Sequence, residues 1–285
     1  MDAREEIKLK ITSSIDKMPS LPTTVGKIIQ LAHDLNSSAK DILAVIQMDP
    51  VVAAKVLKLI NSAYYGMSTK VSLRQAVVLL GINTIKNLAL SSAIVGQVGK
   101  GAIKIRSFDQ QRYWEHCLGT AITAKDICKK MGTDPATMDE FFVAGLVHDI
   151  GKMVMALFLP MYFAKAIQYG QENKLAGSDA ELAMMGIDHA EVGSLLAEKW
   201  GLNQLLVDAI RYHHRPTEKE GPLTWVVHIA NYFVSVQGYE NTGEFAGAKV
   251  EDAAFAAIGL KQELLQQSFG NLPEEIEKAT VFLQT

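Results

Sequence analysis

The chain has 285 residues, is 48% hydrophobic and 21% charged, and sets 28 Lys and Arg against 31 Asp and Glu for a formal net charge of −3. That is the profile of a globular chain with enough apolar side chains for one large domain or two modest lobes. The balanced charge, without a Lys/Arg run, gives no general attraction to nucleic acid or to an anionic membrane surface.

The longest apolar runs, such as Met153 to Leu159, fall well short of the roughly 18 residues that a membrane span needs. The start, Met1 to Glu6, has no apolar leader stretch, so the expectation is a cytoplasmic protein. The two cysteines, Cys117 and Cys128, fall in one predicted helix. At 1.5 Å per residue they are about 16 Å apart, too far for a disulfide, so they are expected to be reduced thiols packed as small apolar groups.

Helical signals follow one another from the start. An amphipathic pattern predicts a helix from Arg4 to about Ile15, and Pro22 can open the next, which carries Val25, Ile28, Ile29 and Ala32. Ser38 with Asp41 approximates a capping box, and Asp49-Pro50 gives a cap followed by proline in the first turn. Ser72 opens a short helix to Leu80 that Gly81 stops as a left-handed cap, and Asn83 caps a helix reaching about Val98. Two glycines in Gly99-Lys100-Gly101 mark a hinge between lobes 1–100 and 101–285. A long helix is predicted from Ser107 to Met131, and Asp134-Pro135 opens the next. Ser178 with Glu181 reads as a capping box, Asp188 and Asn203 as caps, and Pro222 as the start of a helix to about Val236. Weaker helical segments fill the tail, the last opening at Pro273. No stretch alternates with period two, so the fold class is all-α in two helical lobes.

Chemistry concentrates in the second half, which holds six of the seven histidines. His148 and Asp149 are adjacent at the end of the apolar run Phe141 to Val147. A buried, unsatisfied polar group costs roughly 1–3 kcal/mol, so the pair needs hydrogen bonds or something to ligate. His189 shares a helical stripe with Val192, Leu196 and Trp200, and His213 continues one of Leu202, Leu206 and Ala209, so both face inward. A single inward histidine is more often a core residue bonded to a carbonyl. Several converging beside a carboxylate suit a divalent metal such as Fe, Mn or Zn, and Asp149 can bridge two ions.

Trp114-Glu-His116, Gly145-Leu-Val-His-Asp-Ile-Gly151, Gly186-Ile-Asp-His-Ala-Glu-Val-Gly193 and Tyr212-His-His-Arg-Pro216 resemble the HD superfamily of metal-dependent phosphohydrolases. Met18-Pro-Ser-Leu-Pro22, Asp49-Pro50, Asn61-Ser-Ala-Tyr-Tyr-Gly66 and Ala76-Val-Val-Leu-Leu-Gly81 resemble its HDOD branch, an output domain of bacterial signalling proteins. The resemblance runs from about residue 14 to 233. It implies one metal held by His116, His148, Asp149 and the position of Asn231, and a second held by Asp149, His189, His213 and His214. Asn231 departs from the superfamily's aspartate and supplies no charge, which weakens the first metal. Lys152 matches a lysine that often contacts substrate phosphate in HD enzymes, although a lysine after a helix end more often meets solvent. His33 and His228 read as structural or exposed, with His228 a candidate to support the ligands. Arg215 to Pro222 lacks the Gly-Tyr-Pro segment of the HD-GYP branch, so no local motif supports cyclic-di-GMP hydrolysis.

Three functions follow as expectations. The first is a signalling output module that binds a protein partner around a retained site of one or two divalent ions, with its input arriving in trans. The second is a metal-dependent phosphohydrolase acting on a nucleotide or phosphodiester, in which Asp149 and Lys152 carry the chemistry. The third is a vestigial site packed as core. No membrane or nucleic-acid partner is expected. Tyr64 and Tyr65 read either as a recognition surface or as aromatics packing a helix end.

Overall fold

Capping side chains decide where the chain turns. A computed structural model describes residues 3–33, 38–99, 103–239, 250–266 and 271–284, and no strand occurs among them. The first half forms α1 (Ala3–Lys17), α2 (Thr23–His33), α3 (Ala39–Gln47), α4 (Pro50–Ile60), α5 (Leu73–Leu80) and α6 (Ile82–Val98). The second forms α7 (Gln110–Lys130), α8 (Pro135–Val147), α9 (Ile150–Phe158), α10 (Pro160–Asn173), α11 (Gly177–Met185), α12 (His189–Lys199), α13 (Gln204–Tyr212) and α14 (Pro222–Val236). The tail adds α15 (Asp252–Ile258), α16 (Gln262–Gln266) and α17 (Leu272–Ala279). The all-α expectation therefore holds.

Ser38 and Asp41 form a reciprocal capping box, as do Ser72 and Gln75. Asp49, Asp134, Asp188 and Asn203 each accept backbone N–H bonds at the start of α4, α8, α12 and α13. Each such cap contributes roughly 0.5–2 kcal/mol. Three starts differ from the sequence reading. α6 begins directly after Gly81 rather than at an Asn83 cap, because φ 81° and ψ 159° at Gly81 turn the chain there by itself. That mirror-image extended conformation suits glycine, is not the expected left-handed cap, and sets α5 and α6 at 117°. α7 begins after Asp109 and not at Ser107, since the Asp109 carboxylate accepts from the backbone of Gln111 and Arg112. Ser178 lies inside α11 and caps nothing. The expected hinge residues Lys100 and Gly101 lie outside the described residues.

The apolar faces of both halves join in one connected core. α6 lies on α8, where Thr84 Oγ1 donates to Asp139 Oδ2 and Lys125 Nζ donates to Asp139 Oδ1 at 2.6 Å. α1 packs on α9, α11 and α12. Its last turn is tied down there: Lys199 Nζ donates to the carbonyls of Ile15, Asp16 and Met18 at 2.7, 2.7 and 2.9 Å, and Trp200 Nε1 donates to Pro19 O at 3.0 Å. At the opposite end Tyr64 meets Phe142 and Phe282, and Tyr65 stands edge-on to it, so these tyrosines pack a helix end. The stretch Pro135–Phe158 is long and apolar enough to cross a membrane by composition, yet 89% of its most apolar 18-residue window is buried inside the fold, as suits a central core helix. Cys117 and Cys128 are both buried in α7 and form no disulfide.

Candidate metal centre

α8 and α9 run nearly end to end, and the joint between them is His148-Asp149. His148 is the last cap of α8, while Asp149, with φ −98° and ψ 11°, precedes the first turn of α9. Two glycines set how closely the neighbouring helices approach this joint. A Cβ at Gly145 would lie 2.6 Å from Ala121 Cα and 2.7 Å from Ala121 N, so α8 rests backbone to backbone on α7, the helix of His116. A Cβ at Gly151 would fall on the carbonyl oxygen of His189 and 2.7 Å from Gly193 N, so α9 rests likewise on the first turn of α12.

The result is a carboxylate with a set of imidazoles on each oxygen. On one side, His189 Nε2 and His213 Nε2 lie 3.1 and 3.6 Å from Asp149 Oδ1. His214 Nε2 joins them, 2.9 Å from His189 Nε2. On the other side, His116 Nε2 and His148 Nε2 lie 3.5 and 3.4 Å from Asp149 Oδ2, and 3.3 Å from each other. Within each set the donor atoms all lie within 4.8 Å of one another. Lys152 Nζ donates to Asp149 Oδ2 at 2.6 Å and is fully buried, so the expectation of a solvent-facing lysine is overturned. The cause is the apolar first turn of α9, which packs that face inward. All of these groups are buried except His214, which is half-buried. Asn231, on α14, is also buried and its Oδ1 carries no hydrogen bond. The side chain of His33 lies outside the described residues.

Whether an ion fits is decided by the far side of each ring. His148 Nδ1 is 2.8 Å from Gly145 O and His213 Nδ1 is 2.7 Å from Ile210 O. A carbonyl only accepts, so both Nδ1 atoms carry the proton and both Nε2 atoms present a lone pair. A lone pair turned toward a carboxylate oxygen repels it. His213 Nε2 is left without a hydrogen bond, as expected if a cation belongs between it and Asp149 Oδ1. The donor set of imidazole and carboxylate therefore fits a divalent metal of the Fe, Mn or Zn kind.

The charges agree with that reading. Burial works against the charge on Asp149, but Lys152 and His189 outweigh it and hold the carboxyl well below its ordinary range. Burial pushes the imidazoles of His148 and His214 well below theirs. His189 goes the other way: burial opposes its protonation, yet the Glu181 and Asp149 carboxylates raise it to about 10. Its second proton would have to leave if this ring were to ligate an ion.

Glu181 is the residue that sequence reasoning missed. Expected as half of a capping box with Ser178, it instead turns across to α12, where Oε2 accepts from His189 N and His189 Nδ1, both at 2.7 Å. The carboxylate fixes the ring and raises its basicity, as outer partners of metal-bound histidines do. Only the eight-residue spacing to His189 hints at this, and spacing alone does not separate it from capping. Replacing Glu181 by alanine is expected to weaken metal binding by roughly 10- to 100-fold while helicity is retained. Chelator competition measures the affinity and circular dichroism the helicity; unchanged affinity would remove Glu181 from this role. His228 acts on the backbone instead, its Nδ1 donating to the His213 carbonyl at 2.7 Å. Arg215 Nη2 donates to Asp188 Oδ2 at 3.1 Å, which ties the His213-His214 turn to the cap of α12.

Acid should open the metal-free fold. Burial holds His148 and His214 neutral and lowers His228 to about 4. In the unfolded chain each takes a proton near pH 6.5. Their contribution is thus complete above about pH 6.5 and is lost as pH falls from there toward 4. Urea midpoints of chelator-treated protein are expected to drop over that window, with proton uptake on unfolding; a flat profile would contradict the neutral assignment.

Comparison with known proteins completes the picture. The HDOD domain family model matches residues 18–216. A crystal structure of an HDOD domain protein of unknown function from Geobacter sulfurreducens superimposes with TM-score 0.76 at 25% identity, covering 98% of both chains. A Shewanella amazonensis protein provisionally named a phosphohydrolase gives TM-score 0.67 at 25% identity, over 94% of this chain and 97% of that one. Among curated proteins, an uncharacterized Treponema pallidum protein is 28% identical over 79% of this chain and 44% of its own length. Ribonuclease Y of Opitutus terrae is 25% identical over 72% of this chain and 33% of its own. The chain thus spans less than half the length of these curated relatives. With its matching motifs, helical architecture and paired His/Asp sets, the chain belongs to the HDOD family.

Proposed function

We propose that this protein is a bacterial signalling output module that acts by binding a protein partner, and that it carries a closed divalent metal site as a structural or regulatory element. The supporting observation is burial: His116, His148, Asp149, Lys152, His189 and His213 are each at most 1% exposed. A catalytic metal needs an open position for water and substrate, whereas a structural one is enclosed by its ligands. Lys152, the candidate phosphate contact, is already engaged with Asp149 Oδ2. That ammonium offsets the carboxylate on its Oδ2 side, which favours a single ion on the Oδ1 side, among His189, His213 and His214. In this reading residues 1–100 form the partner-facing lobe and 101–285 the metal-bearing one.

A specific observation favours a second reading, a metal-dependent phosphohydrolase. The Oδ1 ligand set is complete, and half-buried His214 gives it a solvent-facing edge. A bound divalent ion would lower the pKa of a water, and Lys152 would neutralise a phosphate if it left Asp149. Elemental analysis of protein purified without chelator, joined to a screen of nucleotides and phosphodiesters, separates the two. The output module is expected to hold about one ion per chain and to turn over none of them. Hydrolysis at enzyme-like rates that Asp149→Ala abolishes would establish the second reading in its place. Protein with no metal would leave the ligands as core.

A further inference from the structure

The small net charge of the chain hides an uneven distribution. Between Asp49 and Asp109 there is no acidic residue, while eight Lys and Arg fall there; all 31 Asp and Glu share the rest of the sequence with the other 20. The last two of the eight, Lys104 and Arg106, stand just before α7, where they line an open groove of about 800 Å³. The other wall is a stripe of α10, on which Met161, Lys165 and Gln168 recur at i, i+4 and i+7. Lys104, Arg106 and Lys165 are all exposed to solvent. None of the three is in an ion pair among the described residues, and no acidic side chain lines the groove. Cations gathered without counter-charge repel one another, so the arrangement attracts a polyanion from outside the chain.

Two features select among polyanions. No aromatic ring lines the groove, whereas single-stranded nucleic acid is held by bases stacked on such rings. The groove is also open along its length, whereas small-molecule sites enclose most of their ligand. From Pro160 to Gln171 its α10 wall rises about 16 Å at 1.5 Å per residue, which about five residues of extended chain span. Apolar surface accompanies the charge: Met161 is 73% exposed, and Phe158 and Tyr162 near it in sequence are exposed as well. A flexible thioether adapts to the side chain that covers it.

We propose that this groove docks an acidic segment of a protein partner, whose carboxylates meet Lys104, Arg106 and Lys165 and whose apolar side chains cover Met161. The proposal deepens the output-module reading and rests on it for the class of partner. It extends the partner-facing surface from residues 1–100 onto the segment that follows them and onto α10. Arg106 contributes most to orientation, because a guanidinium takes a carboxylate through two parallel bonds.

The test is calorimetric titration of the full chain with a short peptide in which Glu and Asp surround two leucines, with its Gln and Asn counterpart, and with single-stranded oligothymidylate. One acidic peptide is expected to bind per chain, more weakly as salt rises, and the amide counterpart at least tenfold more weakly. Arg106→Glu and Lys165→Glu should each lose tenfold or more in affinity with an unchanged melting temperature, since both side chains are exposed. Met161→Ala should lose threefold or more. Lys261→Glu, an exposed lysine outside the groove, is the control and should change the affinity less than twofold. No saturable binding to the wild type, or a loss in Lys261→Glu equal to that in Arg106→Glu, would overturn the proposal. So would oligothymidylate that binds more tightly than the peptide, which would make the groove a nucleic-acid surface, or wild-type dimers that Arg106→Glu dissolves, which would give it to a second copy of the chain. None of these results touches the metal content and turnover by which the output-module reading is judged; hydrolysis in the nucleotide screen would remove that reading while the peptide titration still decides the groove.

Discussion

Replacing Asp149 by alanine is expected to abolish metal binding and also to lower the melting temperature of the metal-free chain by roughly 10 °C. The first loss follows from geometry, since both imidazole sets converge on this one carboxylate. The second follows from electrostatics. Lys152 Nζ donates to Asp149 Oδ2 at full burial, and His189 lies 3.1 Å from Oδ1. Removing one partner of a buried ion pair costs about 3–5 kcal/mol because the other charge is left uncompensated. The double variant Asp149→Ala with Lys152→Met removes both charges and should recover much of the metal-free stability without recovering metal. Scanning calorimetry with and without chelator reads all of this. A single variant that melts with the chelated wild type would show that the pair contributes nothing to the fold.

Gly151→Ala should be nearly as severe although it removes no ligand. The added methyl would meet the His189 carbonyl and the Gly193 amide, which are backbone atoms that cannot rotate away. α9 and α12 must then separate, at a cost of about 3 kcal/mol or more. Separation also withdraws His189 from Asp149, so metal affinity is expected to fall at least a hundredfold. Gly26→Ala is the control, because a methyl there meets nothing within 4 Å. In the interior of α2 it should stabilise the chain by about 0.5–1 kcal/mol. Urea denaturation and chelator competition on the two variants decide the matter; equal behaviour would mean that close approach at Gly151 is not what holds the centre together.

The residues that converge on Asp149 and much of the fold were legible in the sequence for different physical reasons. Caps such as Asp49, Ser72, Asp188 and Asn203 act within three residues, so local chemistry was enough to place them. Inward stripes marked His189 and His213, because burial follows helical period. Glu181 was misread because its partner is His189 on another helix, and a carboxylate three residues after a serine satisfies a local rule just as well. Lys152 was readable only as a choice between a site residue and a solvent-facing one, because its burial is set by what packs against α9, which periodicity does not report.

The bond from Lys199 to the carbonyl of Ile15 spans 184 positions of sequence. The opening helix therefore cannot settle while the chain is being made, since its seat consists of α9, α11 and α12. It must wait until the segment that carries Lys199 has been made, and contacts of such long sequence separation form slowly. During synthesis the apolar side of α1, with Ile7, Ile11 and Ile15, remains uncovered, a natural foothold for chaperones on a nascent chain.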